Sequence, residues 1–292
     1  MPLGPTAHGL AEIVAHSKAS LLGEAVLFVT QNGEGILDKR DTLYILAIGA
    51  DRYPNLPKQC GANGNSSCDL SFAGADARAF AETVEQQMGS QHRQVTKRIL
   101  VNGAGDGLEP TRDNIENALD LLLQAQDNDT IAVFVAGHGF DDPRTGYQFL
   151  PSDAQAGANG HFVSSSVVKW AVLDNALQTA RGRRLLFVDT CRSGNAFNAR
   201  LMKDASDGAI VAFSATNTQQ DALELASLGH GVFTGALIAG LNGAADLAQE
   251  NEVRVFDLGA FLEREVRKLT KGRQTPDFYK RPGAENFVLV RM

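Results

Sequence analysis

From Thr42 onward the chain alternates short apolar, β-prone runs with stretches of helical spacing. That alternation confines it to an α/β fold with a mostly parallel sheet, because parallel strands need a crossover long enough to hold a helix. The expected core strands are Leu43–Ile48, Lys97–Val101, Ile131–Ala136, Leu185–Val188, Ala209–Phe213 and a closing Phe287–Val290. Between them, Asp69–Met88 reads as a helix, with Phe72, Ala75, Ala79, Phe80 and Val84 near helical spacing and Gly89 as its stop. Thr111 is placed to cap a helix carrying Ile115, Leu119 and Leu122, and Ser166 to cap one carrying Val167, Trp170, Ala171 and Leu177. Two further helices are expected at Val232–Leu241 and Asp257–Leu269. No internal repeat or low-complexity tract interrupts the series.

Residues 1–40 stand apart. Asn32-Gly33 hints at a hairpin there, but an extension packed on the sheet, a pro-segment or the remnant of a fusion would fit equally well. The 292 residues and 43% apolar content are ample for one large core. A net charge of -7 with scattered basic residues argues against a nucleic-acid surface, the densest basic group being Arg181–Arg184. No early apolar stretch approaches the roughly 20 residues of a membrane helix, and the first ten residues lack the basic flank of a secretory signal. Three cysteines do not make a disulfide framework. A reducing, cytoplasmic setting is expected.

Two sharp features directly follow two core strands. Gly137-His138-Gly139 comes after Ile131–Ala136, and Asp189-Thr190-Cys191-Arg192-Ser193-Gly194 after Leu185–Val188. In open parallel sheets, sites form at the carboxyl ends of strands. If the two strands are neighbours, His138 and Cys191 lie side by side. The thiolate is the attacking form of cysteine, so a nearby base is needed, and His138 fits that role and that of acid for a leaving amine. The amides of Gly139 and Cys191 are candidates for an oxyanion hole. Taken singly, a cysteine after a core strand is usually a small buried hydrophobe and a histidine among glycines usually structural. Together, with His138 53 residues upstream of Cys191, they are harder to dismiss.

The ordered set Val135-Ala136-Gly137-His138-Gly139, Tyr147–Ala154, Asp189–Gly194 and Gly229–Thr234 resembles the caspase and metacaspase superfamily, in particular its bacterial, orthocaspase-like members, from Thr42 to the carboxyl terminus. The resemblance implies a caspase-like sandwich, a sheet of about six strands flanked by helices. It also implies a large part over 41–191, a linker over 192–207 and a small part over 208–292. It maps the histidine of a catalytic dyad onto His138 and the nucleophile onto Cys191, hence a cysteine endopeptidase acting on protein or peptide substrates.

Where true caspases carry Gln, this chain has Asp189. Residues i and i+2 of an extended segment share a face, so a carboxylate at 189 should line the pocket beside Cys191 and favour a cationic side chain. Metacaspase-like relatives add a second aspartate from the first helix, which matches Asp76, and together these imply cleavage after Arg or Lys. Plainer readings remain: Asp76 as a solvated helix residue, and Asp189 as a turn cap or an orienter of His138. Asp221 stands where relatives build a wall of the same pocket. Self-cleavage between Arg192 and Gly208 is expected by the same analogy, with Arg200 and Lys203 as candidate sites. Arg192 replaces the His of many metacaspases, which weakens assignment to the eukaryotic branch.

No cofactor is required by this chemistry, and calcium dependence is not readable, since no distinctive calcium loop is present. The glycines at 103, 105 and 107 lack the third glycine of a dinucleotide loop and read as a turn. Cys60 and Cys68 fit a flexible Gly/Asn/Ser-rich loop better than a pair or a metal site. His230 reads as structural, introducing Val232, Phe233 and Leu237 as a core-facing helix. Bacterial relatives act in regulated proteolysis, stress or defence, including activation of pore-forming proteins. A catalytically silent scaffold and a nucleotide-binding α/β protein are the competing functions.

Overall fold

The computed structural model describes residues 40–57, 68–105, 107–142, 144–157, 161–191, 193–196, 210–217, 220, 222–225, 229–280 and 284–292. The chain divides between Asp38 and Lys39, and the described residues all belong to the second unit. Residues 1–39, Cys60, Arg192, Arg200, Lys203 and Asp221 lie outside them.

Strand β1 (Arg40–Gly49) is apolar throughout Leu43–Ile48 because both of its faces are covered. Leu43, Ile45 and Ala47 enter one core, and Tyr44, Leu46 and Ile48 the other, the period of two that a pleated strand imposes. Helix α1 (Ala73–Met88) follows, four residues later than the expected start at Asp69, whose carboxylate instead accepts from the Tyr53 amide at 2.8 Å. Strand β2 (His92–Val101) pairs in parallel with β1 along its whole length, from Arg40↔His92 to Gly49↔Val101. Its first half is polar because it forms an edge, so hydrophobicity marked only the end of it.

Helix α2 (Arg112–Ala118) is capped as expected, the Asn114 amide donating to Thr111 Oγ1 at 3.4 Å. Strand β3 (Thr130–Gly137) is buried at all eight positions. Strands β4 (Gly139–Asp142) and β5 (Gly146–Phe149) form a hairpin to which β6 (Val168–Lys169) adds a third strand. That pairing delays α3 to Trp170–Thr179. Ser166 therefore caps no helix; its hydroxyl donates to Val163 O and accepts from the Gln155 amide. Strand β7 (Arg183–Thr190) enters the core with Arg184, which is 1% exposed and donates through Nη1 to the carbonyls of Leu177 and Ala180 at the end of α3.

The chain continues through β8 (Ile210–Ser214), β9 (Glu224–Leu225), β10 (His230–Gly231), α4 (Val232–Ala239), β11 (Glu252–Arg254), α5 (Val255–Leu269), β12 (Asp277–Lys280) and β13 (Val288–Arg291). The main sheet has six strands in the order β12-β8-β7-β3-β1-β2, parallel except for β12. The fold is thus an α/β sandwich with a mostly parallel six-stranded sheet, consistent with a caspase-like sandwich. One expectation needs correction: the closing apolar run forms β13, which pairs with β11 outside this sheet. The sixth strand is the short, polar-ended β12, whose Asp, Tyr and Lys at an edge gave no apolar signal.

Helices α2 and α3 share one core with the sheet, and α1, α4 and α5 the other. On the second face Phe80 stacks on Phe134 at 4.8 Å and meets Phe187 at 5.2 Å, and Phe187 stacks on Phe213 at 4.7 Å, tying α1 across three adjacent strands. Among the described residues no helix is long and apolar enough to cross a membrane.

The first turn of α1 presses directly on the end of β1. A Cβ added at Gly49 would lie 2.2 Å from the Ala73 carbonyl oxygen and 2.9 Å from Ala77 Cβ, and backbone cannot yield as a side chain does. Gly49→Ala is expected to destabilise the chain by about 1–3 kcal/mol, read as a lower urea midpoint. An unchanged midpoint would contradict this account of how α1 is seated.

Candidate active site

Strands β3 and β7 are neighbours in parallel register, Ala136↔Asp189 and Gly137↔Thr190. His138 and Cys191 are the next residue of each chain, so they leave the sheet side by side at its carboxyl edge, with strands about 4.8 Å apart. Cys191 is not disulfide-bonded and is partly exposed.

Both glycines around His138 are required by contact. Gly137 has φ +148, and a Cβ there would meet Phe149 and the Tyr53 hydroxyl at 2.9 Å. At Gly139 a Cβ would fall 1.8 Å from the Tyr147 hydroxyl and 2.7 Å from the Cys191 carbonyl. The motif thus lets two chain segments close on the histidine without a side chain between them.

His138 is held at four points. Its amide donates to the Tyr53 hydroxyl at 3.0 Å, which in turn donates to Ala50 O at 2.8 Å. Its carbonyl accepts from the Leu150 amide at 3.0 Å. The Tyr53 ring lies 4.8 Å from the imidazole. Its Nε2 lies 2.7 Å from the Cys68 carbonyl oxygen. A carbonyl only accepts, so Nε2 carries the proton and Nδ1 is the basic nitrogen of the neutral ring. Burial holds the pKa of His138 below its usual value, although the bond to Cys68 opposes the shift. The ring is therefore neutral near pH 7 and able to accept a proton.

The Leu150 to His138 bond also fixes the hairpin pattern. It makes Gly139 and Phe149 a pair that does not exchange hydrogen bonds, so the Gly139 N–H stays out of the ladder. On the other strand, the Tyr147 hydroxyl is hydrogen-bonded to Thr190 Oγ1 and donates to Cys191 O at 3.1 Å. Beyond Cys191, Ser193 and Thr216 exchange bonds, each amide donating to the other's hydroxyl at 3.1 Å. The turn after β7 is thereby stitched to the end of β8.

Asp76 meets Asp189, which lies on β7 two residues before Cys191. Asp76 is 3% and Asp189 8% exposed, which replaces the reading of Asp76 as a solvated helix residue. Asp189 does not orient His138; its Oδ2 accepts from Thr234 Oγ1 at 2.6 Å. Asp76 accepts from the Gly231 amide at 3.0 Å and lies 2.6 Å from His230 Nδ1. Gly231 is the spacer between the acids: a Cβ there would sit 2.9 Å from Asp189 Oδ2 and 3.1 Å from Asp76 Oδ2. Burial pushes Asp76 up to about 7, outweighing its bond from Gly231, and Glu224 adds to the rise. Burial pushes Asp189 up to about 7 as well, with the charge of Asp76 as the next cause.

Several of these parts escaped the sequence reading. Tyr53 and the Cys68 carbonyl act on His138 from 85 and 70 residues away. Glu224, on β9, accepts from the amides of Ser71 and Phe72 at the start of α1, each at 3.1 Å, and its charge reaches Asp76, Asp189 and His138. The helix expected after His230 does bury Val232, Phe233 and Leu237, but His230 itself bonds an acid of the cluster. Cys68 is disulfide-bonded, which corrects the expectation of an unpaired loop cysteine and removes the cysteine argument for a reducing compartment. Among the described residues, no group of His, Cys, Asp and Glu could hold a metal ion.

A buried carboxylate whose pKa is raised on folding binds protons that the unfolded chain releases, so stability falls as pH rises from about 4 to about 7. Asp189→Asn keeps an oxygen for Thr234 and removes that charge. It is expected to raise the thermal midpoint at pH 8, at about 2–4 °C per kcal/mol gained, with little change at pH 4. A lower midpoint at pH 8 would contradict the described electrostatics.

Comparison with protein-family models and with curated proteins gives no match. Among solved structures, the chain is similar to protein GSU0716 from Geobacter sulfurreducens. The TM-score is 0.52 and the identity 16%, over 82% of this chain and 93% of that one. At that identity the likeness concerns the fold alone.

Proposed function

We propose that the chain is a cysteine endopeptidase that cleaves protein or peptide substrates after Arg or Lys through His138 and Cys191. The observation that carries this reading is the meeting, at one sheet edge, of a cysteine thiol, a neutral histidine and two buried carboxylates. Asp189 joins the two halves, since it lies two residues before Cys191 and borders the same point as Asp76.

In the proposed reaction, Cys191 Sγ attacks the carbonyl carbon of the scissile bond and its proton passes to His138 Nδ1. The carbonyl oxygen becomes an oxyanion, for which the Gly139 N–H, outside the β4–β5 ladder, is a donor. Collapse of the intermediate breaks the C–N bond, and the proton on Nδ1 leaves with the amine. A water then gives its proton to His138, adds to the thioester and releases the acid, restoring the thiol. The Cys68 carbonyl keeps Nε2 protonated throughout, so the ring always presents Nδ1 for transfer. Asp76 and Asp189 hold the guanidinium or ammonium of the residue before the cut, a cation that offsets the cost of burying both charges. Asp221, Arg200 and Lys203 remain candidates for a pocket wall and for self-cleavage. Regulated proteolysis of a stress or defence protein, including a pore-forming one, fits a specificity this narrow.

Purified chain is expected to hydrolyse Arg- or Lys-ended fluorogenic peptides and not Asp-ended ones, with loss of all activity in Cys191→Ala. Its pH profile should split. The acid limb near pH 7 belongs to KM, because the pocket acids must ionise. The kcat limb lies lower, because His138 stays neutral below its ordinary pKa. Preference for the Asp-ended peptide, or an active Cys191→Ala chain, would overturn the reading.

A further inference from the structure

The geometry points to His230 as a specificity-determining positioning residue, whose Nδ1–H holds Asp76 so that Asp76 and Asp189 together receive a guanidinium. This inference rests on the acidic pocket of the reading above and extends it to a residue that the mechanism does not use.

An ionised carboxylate only accepts, so at the 2.6 Å contact with Asp76 Oδ1 the hydrogen belongs to His230 Nδ1. The other oxygen of Asp76 is taken by the Gly231 amide. Consecutive residues of β10 therefore bind both oxygens of one buried acid, and the same Gly231 separates that acid from Asp189. Strand β10 is two residues long and pairs with β9 through His230↔Leu225 and Gly231↔Glu224. The bonds to Asp76 tie it to α1 as well. Asp76 sits in the first turn of α1, so without His230 its carboxylate keeps a single donor and is free to turn from Asp189 or to take up a proton.

The side chain of His230 is 30% exposed. Its ring takes one oxygen of Asp76 and the Gly231 amide the other, with Asp189 across Gly231. A residue serving only to shape the backbone could be replaced by any side chain that keeps β10 in place, whereas a residue that holds Asp76 needs a donor at the position of Nδ1.

The test is binding of benzamidine, an amidinium, to the full chain carrying Cys191→Ala, by calorimetry at pH 8. His230→Ala should bind about tenfold more weakly than the parent. His230→Asn, whose Nδ2 reproduces the Nδ1 donor, should recover the parent affinity, and His230→Leu, which fills the space without a donor, should not. Should His230→Ala fail to fold, the Asn and Leu variants still decide. Equal benzamidine affinity in parent and His230→Ala, a His230→Asn variant as weak as His230→Leu, or no benzamidine binding by the parent would each overturn the inference. The peptidase reading is judged separately, by hydrolysis with Cys191 intact, so either can fail alone.

Discussion

The parallel pairing of β3 with β7 is the constraint on which the rest depends. Both strands are buried on two faces, so a slip of one residue in either would turn its apolar side chains into the wrong core. With Ala136 opposite Asp189 and Gly137 opposite Thr190, the residues that end the strands have no freedom in where they emerge. His138 and Cys191 are placed by the core before any interaction of their own acts. Local bonds then set orientation: the Cys68 carbonyl and Tyr53 for the imidazole, and Tyr147 and the Ser193–Thr216 exchange for the turn after β7.

The buried acid pair works against stability. Two carboxylates are buried side by side, each pushed up to about 7, and burying charge is costly. What keeps them in place is backbone. Gly49 lets the first turn of α1 press on β1 and carry Asp76 to the sheet edge, and Gly231 lets β10 pass between the acids. Raised carboxylates of this kind cluster at functional sites.

The fold was largely legible because a sheet covered on both faces writes its strands as continuous apolar runs, as in Ile131–Ala136 and Leu185–Val188. Strand β12 and the first half of β2 were not, since edge strands take their place from backbone pairing and keep polar side chains. In the site, His138, Cys191 and Asp189 were readable from their positions after strands, and Asp76 only from the family resemblance. The holder of His138 Nε2 was not, because a carbonyl leaves no trace in residue type, and Cys68 meets His138 only through the fold. The contact of His230 with Asp76 was hidden for a related reason. Its partner, 154 residues away, is brought near by α1, and nothing local distinguishes a histidine before an apolar helix from a structural one.

The central claim is that Cys191 attacks a carbonyl whose neighbouring side chain is basic. Its most direct test is to treat the full chain with an Arg-ended peptidyl acyloxymethyl ketone and, in parallel, with its Asp-ended counterpart, then map the adducts by mass spectrometry. The account predicts one adduct per chain, on Cys191, with the Arg reagent and none with the Asp reagent. An adduct from the Asp reagent, or an unmodified Cys191 after treatment with the Arg reagent, would contradict it.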